Sequence, residues 1–128
     1  MSINPPHYLL WVSAACPGSM ADITIARECG LIYCLEDNEY LIADMGYRGE
    51  QQIICPVLDA QSDEEIQNNY WIHGRRDAVE RMNKRIKDWR ICRDTWRGCD
   101  YKFHESMFHV ICRITNISLK YEPLTRAQ

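Results

Sequence analysis

The sequence is notable first for what it lacks. It has no apolar run approaching the ~18 residues that a membrane-spanning helix needs, so no such helix is expected. Its first residues, MSINPPHYLLWVSAACPGS, carry no basic stretch and only a short apolar run. A secretory leader is therefore not expected, and a reducing compartment is the default. The seven cysteines are an odd number and form no C-x-x-C pair, so neither a disulfide framework nor a zinc ribbon is indicated. Internal repeats and low-complexity tracts are absent, which excludes solenoids and disordered linkers. Hydrophobic residues nevertheless make up 46% of 128 residues, enough for a packed core.

Basic residues are scarce in the first half. Residues 1–72 hold 2 basic and 11 acidic side chains, whereas residues 73–97 hold 9 basic and 4 acidic ones. The net charge of −3 conceals this asymmetry. A basic block of that size either faces solvent on a helix or meets a phosphate backbone.

Local patterning predicts few strands. His7–Ala14 (HYLLWVSA) reads as a strand, and Pro17-Gly18 as a turn. Met20–Cys29 reads as a short helix stopped by Gly30, with Ser19 and Asp22 spaced as a variant capping box. Glu39–Ala43 and Gln52–Cys55 read as two more strands. Residues 59–69 are polar and acidic, and read as a loop or a frayed helix start. From about Tyr70 a long helix is expected, with Val79, Met82, Ile86 and Trp89 on one apolar stripe. After a linker at 92–102, a last helix places Phe103, Met107, Val110, Ile114 and Ile117 on one face, and residues 124–128 form a loose tail. The order is α/β with little sheet, since sheets usually have about four to six strands.

Two carboxylates stand out. Asp44 ends the apolar run Tyr40-Leu41-Ile42 and opens the glycine turn ADMGYRG. Glu80 follows Val79 at the border of the helix stripe. Two readings fit them. Asp44 caps a turn while Glu80 pairs with Lys84 or Arg76. Alternatively, both serve as hard oxygen ligands for Mg²⁺ or Mn²⁺, which takes one or two carboxylates and leaves its remaining positions to water and phosphate. Cys99, His104, His109 and Cys112 are spaced C-x4-H-x4-H-x2-C, which matches no zinc pattern. Trp11, Trp71, Trp89, Trp96, Tyr47 and Tyr70 read as core or boundary residues.

Four stretches together resemble the catalytic domain of DDE transposases of the Harbinger-like kind. They are WVSAACPGSMADITIAR, LIADMGYRG, Arg76-Asp77-Ala78-Val79-Glu80-Arg81 continuing through MNKRIKDWRI, and FHVICRITNISLKYEPL. The likeness covers about residues 8–123, and the order and spacing of the stretches carry it.

The resemblance implies a partial ribonuclease-H-like fold, with a few-stranded mixed sheet and flanking helices, over residues 1–123. It implies that Asp44, in Asp-x-Gly-Tyr, and Glu80, in Val-Glu-Arg, are catalytic and hold Mg²⁺ or Mn²⁺, with Asp22 as an auxiliary acid. Ala21 stands where the family usually has His. The family's first catalytic Asp lies on an earlier strand, upstream of this chain. The expectation is thus the C-terminal part of a metal-dependent DNA endonuclease or transposase domain, inactive alone, or else a non-catalytic DNA- or protein-binding remnant. DNA is the implied partner, through Arg75, Arg76, Arg81, Lys84, Arg85 and Lys87, in a nuclear setting. A full-length transposase or an accessory DNA-binding protein is a further partner, and an uncovered sheet edge would favour self-association.

Overall fold

The computed structural model describes residues 7–124. The chain forms two compact units, one of Cys16–Asp77 and one of Met1–Ala15 with Ala78–Gln128. Residues 125–128 of the expected tail lie outside the described residues.

In the unit Cys16–Asp77, helix α1 spans Asp22–Glu28. Its N-cap is Ala21, which makes no side-chain cap, so the Ser19/Asp22 box does not form and the helix starts later than Met20. Its end follows expectation. Gly30 has φ +84°, and Leu31 N–H donates to the Ala26 carbonyl at 3.1 Å, the six-to-one bond of a Schellman stop. A 3-10 turn at Ile32–Cys34 follows.

Strands β1 (Leu41–Ile42) and β2 (Ile53–Ile54) lie inside the two predicted strands and pair in parallel, Leu41 opposite Ile53 and Ile42 opposite Ile54. The expected mixed sheet is thus a two-stranded parallel one among the described residues. The link between the strands is too short for the usual helical crossover and holds only a 3-10 turn at Met45–Tyr47. Gln52 anchors the ladder by donating through Nε2 to the carbonyls of Glu36 and Glu39, at 2.8 and 3.1 Å. Ala26, Ile53 and Ile72 are the buried apolar residues of this unit.

Helix α2 spans Asp63–Lys87 and begins well before Tyr70. A true capping box starts it. Ser62 Oγ accepts from Glu65 N–H at 3.2 Å, and Glu65 Oε2 accepts from the N–H groups of Ser62 and Gln61 at 3.3 and 2.9 Å. Asp63, Glu64 and Glu65 in its first turn, and Lys84, Arg85 and Lys87 in its last, complement the helix dipole.

In the other unit, α3 (Arg90–Arg93) is a single turn and α4 spans Tyr101–Ser118, capped by Asp100 accepting from Phe103 N–H at 2.9 Å. Residues 7–14 form no strand. A side chain replaces the missing strand partner. Leu9 N–H donates to Asn116 Oδ1 and Asn116 Nδ2 donates to the Leu9 carbonyl, both at 2.8 Å, while Ala15 N–H donates to Glu105 Oε2 at 3.0 Å.

Under this segment lies the core of Met82, Ile86, Ile111, Cys112 and Leu119, flanked by Leu9, Val12, Ile91 and Phe108. Fully buried Ile111 and Leu119 each contribute about 1.5–3 kcal/mol relative to exposure. Met82 and Ile86 come from the predicted α2 stripe, whereas Val79 and Trp89 are exposed. On α4 the expected face is not the buried one. Phe103, Val110, Ile114 and Ile117 are exposed, and their neighbours Ile111, Cys112 and Thr115 are buried. Among the described residues, no helix is long and apolar enough to cross a membrane.

Candidate functional site

Asp44 stands where β1 gives way to the 3-10 turn, and extended backbone there (φ −82°, ψ −178°) points its carboxylate back at the turn. Oδ1 accepts from Gly46 N–H at 2.9 Å, so the turn-capping reading of Asp44 holds. Its carbonyl accepts from the Cys55 thiol at 3.1 Å, which ties the turn to the end of β2. Oδ2 faces Arg76 Nη2 at 3.6 Å.

Asp22, the first residue of α1, reaches the same turn, against which α1 packs. A Cβ on Gly46 would lie 2.7 Å from Asp22 Oδ2 and 3.1 Å from Asp44 Oδ1. Glycine is therefore the residue that leaves room for both carboxylates against this turn. The local field registers both. Burial, then Asp22, then Asp44 push the Tyr47 phenol up from its ordinary range. Burial and Asp44 push the Cys55 thiol up, against a smaller pull from Arg48 and Arg76. Both groups stay neutral near pH 7, so Cys55 remains a hydrogen-bond donor rather than a nucleophile.

Glu80 belongs to the other unit, on the exposed side of α2. It lines an open groove of about 500 Å³ with Asn83, Lys84, Lys87, Asp88 and Arg93. Four of these, Glu80, Asn83, Lys84 and Lys87, repeat at three- and four-residue spacing along one helix face.

The six basic residues expected to meet DNA are differently employed. Arg75 lies 5.4 Å over the Trp71 ring, and Arg76 pairs with Asp44. Arg81 has its Nε buried, and Arg85 donates to the Glu122 carbonyl. Lys84 and Lys87 line the groove. Asn83 and Arg93 escaped the sequence reading. Asn83 carries the same helical phase as Glu80, which is a usable signal, whereas Arg93 sits in what reads as a linker.

Among the described residues, no three His, Cys, Asp or Glu side chains form a group able to hold a metal. The alternative zinc residues are occupied elsewhere. His104 Nε2 bonds the Ile91 carbonyl at 3.3 Å with its ring stacked on Trp96, and His109 Nε2 bonds the Ser13 carbonyl at 3.1 Å. Cys112 is buried in the core and Cys99 is exposed.

A carboxylate turn at a strand end and a cation-lined groove are features suited to phosphate chemistry. The chain belongs to the DDE superfamily endonuclease family, whose model matches residues 1–116. Membership implies a nuclease- or transposase-like function with DNA as substrate, in a superfamily that generally uses divalent metals. No curated protein and no solved structure matches the chain.

Proposed function

We propose that the chain contributes to metal-dependent phosphodiester cleavage and strand transfer on DNA, as part of a ribonuclease-H-like domain of the Harbinger-like kind acting in the nucleus. The single observation that carries this reading is the Asp44 turn. A strand-end carboxylate is oriented by Gly46, a second carboxylate from Asp22 stands against the same glycine, and a cation already faces Oδ2.

That environment fits Mg²⁺ or Mn²⁺, because the donors are hard oxygens and a positive charge is accommodated beside them. Asp44 is proposed as a ligand of the ion with Asp22 auxiliary, and Glu80 is proposed as a ligand on the sequence pattern Val79-Glu80-Arg81 alone. When bound, such an ion activates water and steadies the leaving oxygen. Asp44 keeps its carboxylate aimed through the Gly46 bond, and the Cys55 donor fixes the backbone behind it.

A second reading, a non-catalytic DNA- or protein-binding remnant, is favoured by the cations around Glu80. A Mn²⁺ titration by calorimetry on the chain and on its Asp44→Ala/Glu80→Ala variant separates the two. Binding lost in the variant supports the metal site. Equal binding in both, or none in either, sinks it and leaves the remnant.

A further inference from the structure

We propose that Cys16 and Cys29 are a site of reversible oxidation, closing to a disulfide that clamps helix α1, with a low-molecular-weight disulfide such as oxidised glutathione as the oxidant. The inference goes beyond the proposed function and depends on neither metal nor DNA binding.

The two thiols flank α1. Cys16 precedes the turn in which Met20 N–H donates to the Pro17 carbonyl at 3.0 Å, and Cys29 is the helix C-cap, its N–H donating to the Ile25 carbonyl at 2.9 Å. Although they stand 13 positions apart in the chain, their sulfurs meet at 3.5 Å. A disulfide needs ~2.05 Å, so the sulfurs must approach by about 1.5 Å. Rotation about the two Cα–Cβ bonds moves sulfurs on that scale. Both residues are half-buried, so a small oxidant reaches them.

The other cysteines are differently placed. Burial pushes the Cys55, Cys92 and Cys112 thiols up, so they hold little of the thiolate that attacks a disulfide. Cys34 and Cys99 are exposed and can take up the oxidant as mixed disulfides.

The chemistry balances in two exchanges. One protein thiolate attacks the small disulfide, forming a mixed disulfide and releasing one small thiolate. The second attacks the protein-side sulfur of that bond, forming the Cys16–Cys29 bridge and releasing the other. Two protein thiols are oxidised, one small disulfide is reduced, and the two protons pass to the leaving thiolates. An excess of the small thiol reverses both steps.

The clamp matters because α1 is weak alone. It has seven residues and no side-chain N-cap, so tertiary contacts hold it. It also carries Asp22 to the Gly46 turn. A covalent bond across its two ends removes disordered conformations of residues 16–29 and lowers the population in which α1 is open.

The test equilibrates the full chain in glutathione buffers of rising oxidised fraction, quenches in acid and alkylates the remaining thiols. Trypsin cuts after Arg27 and Arg48, so the bridge appears as peptide 1–27 linked to peptide 28–48. The second peptide also holds Cys34, so the mapping is repeated in Cys34→Ser. The linked pair should be the main bridged product in both chains. Amides of Asp22–Glu28 should then exchange with deuterium at least ~10-fold more slowly in the oxidised chain than in the reduced one, whereas those of α4 should change less than ~2-fold. In Cys29→Ser the oxidant should leave α1 exchange unchanged.

Loss of the linked pair in Cys34→Ser would reassign the bridge to Cys34 and overturn the proposal. Mixed disulfides at Cys16 and Cys29 in place of the bridge would overturn it as well, because the sulfurs would not have closed. A bridge that forms without slowing α1 exchange, or that slows α1 and α4 equally, would overturn the clamp. The comparison of reduced and oxidised wild type needs no variant, so it decides the matter even if Cys29→Ser unfolds.

Discussion

The Arg76 guanidinium stands 3.6 Å from Asp44 Oδ2, on the oxygen that the Gly46 bond leaves open. A tethered cation there competes with any dissolved one. Both side chains are partly exposed, so the pair is screened. In water two unit charges at ~4 Å interact by about 1 kcal/mol, and side-chain freedom takes back part of that. Arg76→Gln is therefore expected to tighten Mn²⁺ binding about 3-fold, read by calorimetry. Weaker binding in Arg76→Gln would show that Arg76 orients Asp44 instead of competing at it.

Gly46 separates Asp22 from Asp44. Adding a methyl group puts Cβ 2.7 Å from Asp22 Oδ2, at the end of a short side chain that must rotate away. Gly46→Ala is expected to cost about 1 kcal/mol of stability, at the low end for overpacking. Asp22→Ala in the same chain should recover at least ~0.5 kcal/mol of it, a coupling measurable by urea unfolding in a double-mutant cycle. Strict additivity would mean that the two residues do not share space.

How far these features were legible depends on what each one rests on. The Gly30 stop, the Asp44 turn and the two short strands follow from local chemistry, a glycine at positive φ and a carboxylate at a turn, and sequence alone exposes them. The Ser62-x-x-Glu65 box was equally local, yet the polar run around it reads as loop because no apolar periodicity supports a helix there. The strand expected at 7–14 fails for a different reason. A strand needs a partner strand, and here Asn116 supplies the two hydrogen bonds from a helix more than a hundred residues away. The engagements of the cations were not legible either, since only tertiary contacts distinguish Arg85, bound to a carbonyl, from open Lys84 and Lys87.

The capping box at the start of α2 makes a pH prediction. Backbone N–H bonds from Gln61 and Ser62, the largest causes, hold the Glu65 carboxyl below its ordinary value. A carboxyl with a lowered folded pKa stabilises the fold above its unfolded value, about 4.3, and that contribution fades as pH falls through the folded one. Wild type should therefore melt higher than Glu65→Gln at pH 7, and the gap should narrow in acid, below the unfolded value of about 4.3. Far-ultraviolet dichroism melts at the two pH values read this directly, and a gap that widens in acid would rule out the box as its source.

The two apolar faces of α4 yield the sharpest check on the fold. Ile111 is 2% exposed and packs with Met82, Ile86, Cys112 and Leu119, whereas Ile117, on the other apolar face, is 57% exposed. Ile111→Ala removes buried methylenes and leaves a cavity, at an expected cost of about 2–5 kcal/mol. Ile117→Ala removes little buried surface and gains slightly in helix propensity, so it should stay within ~0.5 kcal/mol of wild type. Urea unfolding curves with unchanged slope would give both values. Periodicity cannot choose between the faces, because α4 carries apolar residues on both and the contacts from Leu9 and Val12 decide which one is covered. Equal losses from the two variants would mean that the 103–117 face is also buried in solution. Reversed losses would place the core on that face and undo the assignment of Ile111 to it.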